Sequence, residues 1–163
     1  MPKKPAKPGN AAPDTPPDGQ DVDFDCLPGL IGYQLRRAQV RVFNDFRQSL
    51  QDLDITPGLF GVMAVIGANP GLSQSALARA VGIERSTIVA VIDRLEARGL
   101  AHRQPSPTDK RSHALVLSDA GSATLARVKE LVGDHEKRIA RDFTPTEQAQ
   151  LIDLLKRLAP DSD

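Results

Sequence analysis

The chain has 163 residues, a length that suits one domain with a tail and is enough to bury a hydrophobic core. Its 21 basic and 21 acidic side chains cancel, which argues against an indiscriminate, uniformly basic nucleic-acid binder. A single cysteine excludes an internal disulfide framework, and no apolar run approaches the roughly 20 residues that cross a bilayer. Since the N-terminal region also lacks the apolar stretch of a secretory signal, we expect a cytoplasmic protein without membrane contact.

Residues 1–25 form a polar segment that is rich in Pro, Gly, Lys and Asp and shows no periodicity. Such a segment cannot bury enough apolar surface to offset the entropy lost on ordering, so we predict a disordered tail. Its lysines precede its aspartates, which leaves a basic arm that touches DNA as the alternative to an inert tail. The folded domain is expected to cover residues 26–163.

The first predicted helix runs from about residue 29 to residue 53, where apolar side chains recur at steps of three and four residues. This helix also carries the candidate ligand-binding residues Tyr33, Arg36, Arg37 and Arg41. Guanidinium groups clustered within one and a half turns suit a carboxylate or a phosphorylated ligand. A solvated basic face, or a network of salt bridges between subunits, is the alternative.

A helix-turn-helix is predicted after a helix that begins at Thr56-Pro57. Ser73 can cap the first helix of the pair, and Gly82 suits a turn that needs a positive φ. The second helix, from about Glu84 to Arg98, has one apolar face made of Ile88, Val91, Ile92 and Leu95. Its opposite face combines arginines with short side chains, which let a helix approach base edges and grip guanine or phosphate. The candidate DNA contacts are Ser73, Arg85, Ser86, Thr87, Ala90 and Arg94; for Arg94 the alternative is a solvated face with local ion pairs.

A β-hairpin, the wing, is predicted next, with strands at residues 100–104 and 113–117. Residues 105–111 contain two prolines, which remove ladder donors, so this segment forms an exposed tip. Arg111 on the tip suits a narrow minor groove, where the negative potential is high. Lys110 is a further candidate contact, and Asp109 could orient the Arg111 guanidinium. The alternative is an ordinary charged tip that resists aggregation.

The lobe from Ser73 to His113 is basic although the whole chain is neutral. It contains seven Arg and Lys residues against four acidic ones, a local charge of +3. A basic lobe on a neutral chain fits specific, salt-sensitive DNA binding.

Two more helices are predicted after the wing. The first runs from Asp119, capped by Ser118, to about Arg141, and the second begins with a capping box at Thr144. The terminal helices are more than a monomer needs, so we predict a homodimer with aromatic and leucine side chains buried across a two-fold axis. These side chains are Phe43, Phe46, Phe143 and the stripe from Leu151 to Leu158.

No catalytic constellation, phosphate-binding glycine loop or metal-ligand spacing is found, so we expect no enzymatic activity, no cofactor and no metal. The histidines are scattered at positions 102, 113 and 135. His113 is expected to face solvent or DNA, and His135 to pack at an interface.

The succession of these motifs resembles the multiple-antibiotic-resistance regulator (MarR) family over roughly residues 27–158. The matching residues are Ser86-Thr87, Asp93 to Leu100, Arg103, Asp109-Lys110-Arg111 and Leu117 to Gly121. The resemblance implies a mainly α fold with a small β-wing. It places a winged helix-turn-helix at about residues 57–117, and dimerisation helices at about 29–53 and 119–158. It also implies a dimer on double-stranded DNA with a pseudo-palindromic operator, the recognition helix in the major groove and Arg111 in the minor groove.

The resemblance also implies control of DNA binding by a small molecule or by oxidation. The first helix is similar to that of the hydroxycinnamoyl-CoA-responsive branch, where thioester phosphates would explain the arginine cluster. The expected effector is therefore a small aromatic acid or its acyl-CoA thioester, such as p-coumaroyl-CoA. Urate sensors of the family have a Trp in the ligand pocket, so the absence of Trp from this chain argues against urate as the effector. A thiol-based redox sensor that uses Cys26 is the alternative, although Asp23 and Asp25 disfavour its thiolate.

We interpret the chain as a ligand-responsive DNA-binding transcriptional regulator, a repressor connected with aromatic compound catabolism. A winged-helix adaptor that binds protein in place of DNA is a further alternative. It would show no steep salt dependence of nucleic-acid binding.

Overall fold

The computed structural model describes residues 22–105 and 113–159 of the chain. These residues belong to two compact units, divided between Arg41 and Val42. Over the described residues the chain forms six α-helices and a three-stranded antiparallel sheet, which confirms the predicted mainly α fold with a small wing. The helices are α1 (Ile31–Ser49), α2 (Pro57–Ala68), α3 (Gln74–Val81), α4 (Arg85–Ala97), α5 (Asp119–Ile139) and α6 (Pro145–Leu158), and the strands are β1 (Leu72–Ser73), β2 (Ala101–Pro105) and β3 (His113–Leu117).

The first unit contains a short 3-10 turn, Leu27–Gly29, and the beginning of α1. The Pro28 carbonyl accepts a hydrogen bond of 2.7 Å from Gln34 Nε2, which joins the turn to the helix. The rings of Phe24 and Tyr33 lie 6.3 Å apart, so Phe24, placed in the predicted tail, contacts the helix. Residues 1–21 of that tail lie outside the described residues.

Helix α1 ends at Ser49, a few residues before the predicted end. Gln51–Leu53 form a 3-10 turn instead, and Asp54 has a left-handed φ of 47°. Asp adopts this conformation more readily than most residues because its short polar side chain can bond locally. The turn leads to Thr56, whose hydroxyl accepts a 3.2 Å hydrogen bond from Leu59 N and caps α2 as predicted.

The core of the second unit is organised around α2, in which Leu59, Val62, Met63 and Ile66 are all buried. Phe46 is only 5% exposed; its ring lies 6.2 Å from that of Phe60 and edge-on to His135 at 5.4 Å. Phe46 is therefore buried in the core of its own chain, contrary to the prediction that a second subunit covers it. His135, 2% exposed, likewise packs inside the chain and not at a subunit interface.

The sheet has the strand order β1-β3-β2. The predicted hairpin is confirmed, with Ala101 opposite Leu117 and Pro105 opposite His113. The third strand, β1, was not predicted because two residues are too few to show an alternating pattern. Its Leu72 pairs with Leu115, so the wing is joined directly to the segment that precedes α3.

Hydroxyl caps start the two C-terminal helices as predicted. Ser118 Oγ accepts from Gly121 N at 2.9 Å and donates to the Gly99 carbonyl at 2.6 Å. Thr144 and Glu147 form a reciprocal capping box at the start of α6. Such a cap contributes about 1 kcal/mol to helix stability. Helix α5 ends at Ile139, two residues before the predicted end.

Candidate DNA-binding surface

Helices α3 and α4 form the predicted helix-turn-helix. Ser73 Oγ accepts a 3.2 Å hydrogen bond from Ala76 N and caps α3. Gly82 ends this helix with a φ of +64°, which glycine adopts without the steric cost that a Cβ brings. Ile83 N then bonds to the Ala78 carbonyl at 3.1 Å, and α4 begins at Arg85. The tight turn fixes the direction in which α4 leaves α3.

Helix α4 presents one buried face and one exposed face. Ile88, Ile92 and Leu95 are fully buried, which confirms their predicted role in the core. The predicted DNA contacts on the opposite face are all exposed: Arg85, Ser86, Thr87, Ala90 and Arg94. Because the side chains between the two arginines are short, a nucleic-acid groove can approach the backbone of this helix closely.

Ser73 differs from the other predicted contacts. It is half-buried, and its oxygen already accepts the hydrogen bond that caps α3. Only the hydroxyl hydrogen remains for a phosphate, so Ser73 can contribute one donated hydrogen bond.

Arg94 lies at the edge of the exposed face and is held by a residue that the sequence analysis did not identify. Its Nη2 atom lies 2.7 Å from Asp54 Oδ2. Arg98, one turn later, donates to the main-chain carbonyls of Leu53 at 2.8 Å and Asp54 at 3.0 Å. The end of α4 is thereby tied to the turn between α1 and α2, a contact across some forty residues that no periodic pattern reveals.

Arg103 braces the wing against α4. Its backbone N–H donates to Glu96 Oε1 at 2.7 Å, and its guanidinium bonds to Glu96 and, at 2.7 Å, to Asp93. The side chain is only 20% exposed, and two carboxylates neutralise it. Arg103 therefore holds strand β2 against α4, with its guanidinium already paired to two carboxylates.

The tip of the wing, residues 106–112, lies outside the described residues. The predictions for Lys110, Arg111 and the supporting Asp109 fall there. The strands that carry the tip are described as far as Pro105 and His113, which face each other at the end of the ladder. His113 is exposed, as expected.

The predicted effector ligands lie on the part of α1 that belongs to the first unit. Arg36, Arg37 and Arg41 are exposed and Tyr33 is half-buried. The Arg37 guanidinium lies over the Tyr33 ring, 5.8 Å from its centroid, within the range of a cation–π interaction. Cys26, the redox candidate, is exposed in the turn before this helix.

A polar cluster that the sequence analysis did not predict joins α1 to α5 within the second unit. Asp45 Oδ1 accepts from Arg138 Nη2 at 2.9 Å and lies 2.7 Å from His135 Nδ1, while Ser49 contacts the same arginine. The hydrogen bonds from Arg138 and then His135 lower the pKa of Asp45 to about 2. The cluster borders an open cavity of about 310 Å³, to which Leu131 and Asp134 also contribute.

Comparison with known proteins places this architecture in a family. Residues 53–112 match the model of the MarR family. A transcriptional regulatory protein for the hcr operon of Thauera aromatica is 38% identical over 159 residues, which is 97% of this chain and 92% of that protein. The chain belongs to the MarR family of transcriptional regulators.

Two solved structures of the transcriptional repressor CouR resemble this MarR-family chain over most of its length. CouR bound to a 23-mer DNA duplex is 42% identical, with a TM-score of 0.82 over 86% of this chain and 99% of that one. CouR bound to p-coumaroyl-CoA is 39% identical, with a TM-score of 0.79 and the same coverage. These two repressor complexes contain the two kinds of ligand that the sequence analysis predicts.

Helix α6 of this MarR-family chain has no buried residue. Its large apolar side chains are 41–56% exposed, as is Phe143 at 46%. They are Leu151, Ile152, Leu154, Leu155 and Leu158. We call this set the α6 apolar face. An exposed apolar surface of this kind marks an interaction site, as the predicted dimer requires.

No helix in the described ranges of this MarR-family chain is both long and apolar enough to traverse a lipid bilayer. Within residues 22–105 and 113–159, no group of three or more His, Cys, Asp or Glu side chains is arranged to hold a metal ion.

Proposed function

We propose that this MarR-family regulator is a homodimeric repressor that binds double-stranded DNA through α4 and is released by an aromatic acyl-CoA thioester. The observation that carries the proposal is the exposed face of α4, in which short side chains separate Arg85 from Arg94. On the opposite face Ile88, Ile92 and Leu95 are fully buried. The similarity to a DNA-bound repressor that is 42% identical supports it. The protein acts in the cytoplasm by binding and not by catalysis.

Each part of the fold has an assigned role in this proposal. Residues 57–117 form the winged helix-turn-helix, and the helices at about 29–53 and 119–158 hold two copies together. A two-fold dimer places two copies of α4 about one helical turn apart, so the operator is pseudo-palindromic. Arg85, Ser86 and Thr87 enter the major groove, Arg94 and Ser73 contact phosphates, and Ala90 allows close approach. Arg111 of the wing reaches the neighbouring minor groove, oriented by Asp109, and Lys110 is a further DNA contact.

The effector is assigned to the arginine-rich start of α1. Arg36, Arg37 and Arg41 are exposed residues, and guanidinium groups suit the phosphates of coenzyme A. The solved complex of the similar repressor CouR with p-coumaroyl-CoA supports this class of ligand. Tyr33 offers an aromatic surface beside the cluster. The effector weakens DNA binding only through its different affinity for the DNA-bound and free arrangements of the dimer.

Fluorescence polarisation of the protein on its own upstream intergenic DNA tests this proposal. We expect tight binding that p-coumaroyl-CoA releases, and no release by free p-coumarate or by coenzyme A alone. Release by mild peroxide in the wild type but not in Cys26→Ser, without any effect of the thioester, would replace ligand control with redox control. Binding without steep salt dependence would favour a protein adaptor.

A further inference from the structure

We propose that Asp54 is a positioning residue, which restrains Arg94 and thereby lowers the affinity of the protein for DNA. This inference rests on the proposed DNA-binding function. It concerns the turn between α1 and α2, a segment outside the helix-turn-helix itself.

The position of Asp54 does not depend on its own carboxylate. Arg98 holds the turn by hydrogen bonds to the main-chain carbonyls of Leu53 and Asp54, at 2.8 and 3.0 Å. These main-chain hydrogen bonds hold the Asp54 carboxylate beside α4. There it lies 2.7 Å from Arg94 Nη2 and 3.8 Å from Arg98 Nη1.

The Asp54–Arg94 pair is open to water and can be exchanged. The Asp54 side chain is 74% exposed and that of Arg94 is 48% exposed. Exposed ion pairs are weak, so a DNA phosphate can compete with the carboxylate for the guanidinium. The phosphate must then lie close to the Asp54 charge, which repels it. A phosphate contact by Arg94 is consequently weaker than the same contact by an arginine without an acidic neighbour.

Arg85, at the other end of the exposed face, provides the contrast. It forms no ion pair with any residue in the described ranges. Random DNA is bound through phosphates alone, whereas an operator also provides base contacts. A penalty on the Arg94 phosphate contact therefore applies to both kinds of DNA and lowers both affinities by about the same factor. Asp54 in this way lowers the affinity for DNA and leaves the base contacts at the start of α4 unchanged.

The test is the Asp54→Asn variant, compared with the wild type by fluorescence polarisation over a range of salt concentrations. Asn also tolerates a left-handed φ, and the substitution leaves both carbonyl acceptors in place, so the turn is kept. We expect random duplex to bind about three- to tenfold more tightly, with a salt dependence steeper by about 0.9 per protomer in log–log slope. Binding to the upstream DNA should gain by a similar factor, because Arg94 contacts a phosphate there as well.

Two further variants assign the effect to the Asp54–Arg94 pair. Asp52→Asn removes the same charge from the same turn and should leave DNA binding unchanged. In an Arg94→Ala background, Asp54→Asn should add nothing further. An unchanged or lower affinity of Asp54→Asn for random DNA would overturn the inference, as would an equal gain in Asp52→Asn or in the Arg94→Ala background. If the wild type itself shows no salt-dependent DNA binding, the proposed function fails as well; if it binds tightly and Asp54→Asn behaves like it, only the role of Asp54 fails.

Discussion

His135 on α5 is 2% exposed, and its Nδ1 atom lies 2.7 Å from the carboxylate of Asp45 on α1. Arg138 bonds to the same carboxylate at 2.9 Å. The hydrogen bonds of Asp45 with His135 and Arg138 therefore join the second half of α1 to α5, in addition to the apolar packing there.

Asp45→Asn is expected to destabilise the folded protein at neutral pH by about 1–3 kcal/mol, because it weakens a hydrogen bond to a buried imidazole. Chemical denaturation of both proteins at pH 7 measures this difference. Asp134→Asn, which removes an exposed carboxylate paired with Lys137, is the matched control and should stay close to the wild type. Equal stability of Asp45→Asn and the wild type would contradict the structural role of the cluster.

The contribution of Asp45 should also depend on pH. Its pKa in the folded protein is about 2, below the ordinary value of 3.8, so the group stabilises the fold when ionised. The contribution is complete above the unfolded pKa and is lost as the pH falls through the folded one. The stability difference between wild type and Asp45→Asn should therefore shrink between about pH 4 and pH 2. A difference that stays constant over this window would show that the charge of Asp45 is not involved.

Arg85→Ala should reveal whether the start of α4 is used to read bases. If Arg85 bonds to a base edge, the loss on the upstream DNA is about 1–3 kcal/mol, with little loss on random duplex. Arg79→Ala removes an exposed arginine from α3 and is the control. Equal losses of Arg85→Ala on both DNAs would instead make Arg85 a phosphate contact.

Leu154→Asp should convert the dimer to a monomer, because it places a charge in the α6 apolar face. Leu154 is 56% exposed in the single chain, so the fold of the protomer itself should not be affected. Sedimentation velocity gives the oligomeric state, and we expect the monomer to bind the two-fold operator much more weakly. Lys156→Asp introduces the same charge on the same helix and should remain dimeric if the leucines form the interface.

Removing guanidinium groups from the start of α1 should weaken the response to the thioester without weakening DNA binding. Each charge-assisted hydrogen bond to a phosphate contributes about 1.5–3 kcal/mol. The p-coumaroyl-CoA concentration that releases DNA should thus rise by at least tenfold in Arg36→Ala/Arg41→Ala. Arg127→Ala on α5, an exposed arginine paired with Glu130, is the control. A wild-type response of the double variant would exclude this cluster as the phosphate site.

The features that the sequence predicted correctly are those encoded within a few residues. The caps at Thr56, Ser73, Ser118 and Thr144 each bond to a backbone N–H three residues later, so a local pattern contains them. The buried face of α4 follows in the same way from helical periodicity.

The features that were missed depend on residues far apart in the chain. Arg94 contacts Asp54 across 40 residues and His135 contacts Asp45 across 90, and neither spacing forms a pattern. Phe46 shows the same limit. Helical periodicity predicts that Phe46 belongs to an apolar face, but it does not show whether that face is buried by the same chain or by a second copy. Strand β1 was missed because it exists only through its pairing with β3.

The central claim is that α4 binds a specific DNA sequence, and the most direct test compares two duplexes of equal length. One carries the upstream intergenic sequence and the other a scrambled version, and both are titrated with the wild-type protein at increasing salt. We predict binding to both that weakens steeply with salt, and a preference for the upstream sequence of at least a thousandfold at physiological salt. Equal affinity for the two duplexes, or binding that does not change with salt, would contradict the account.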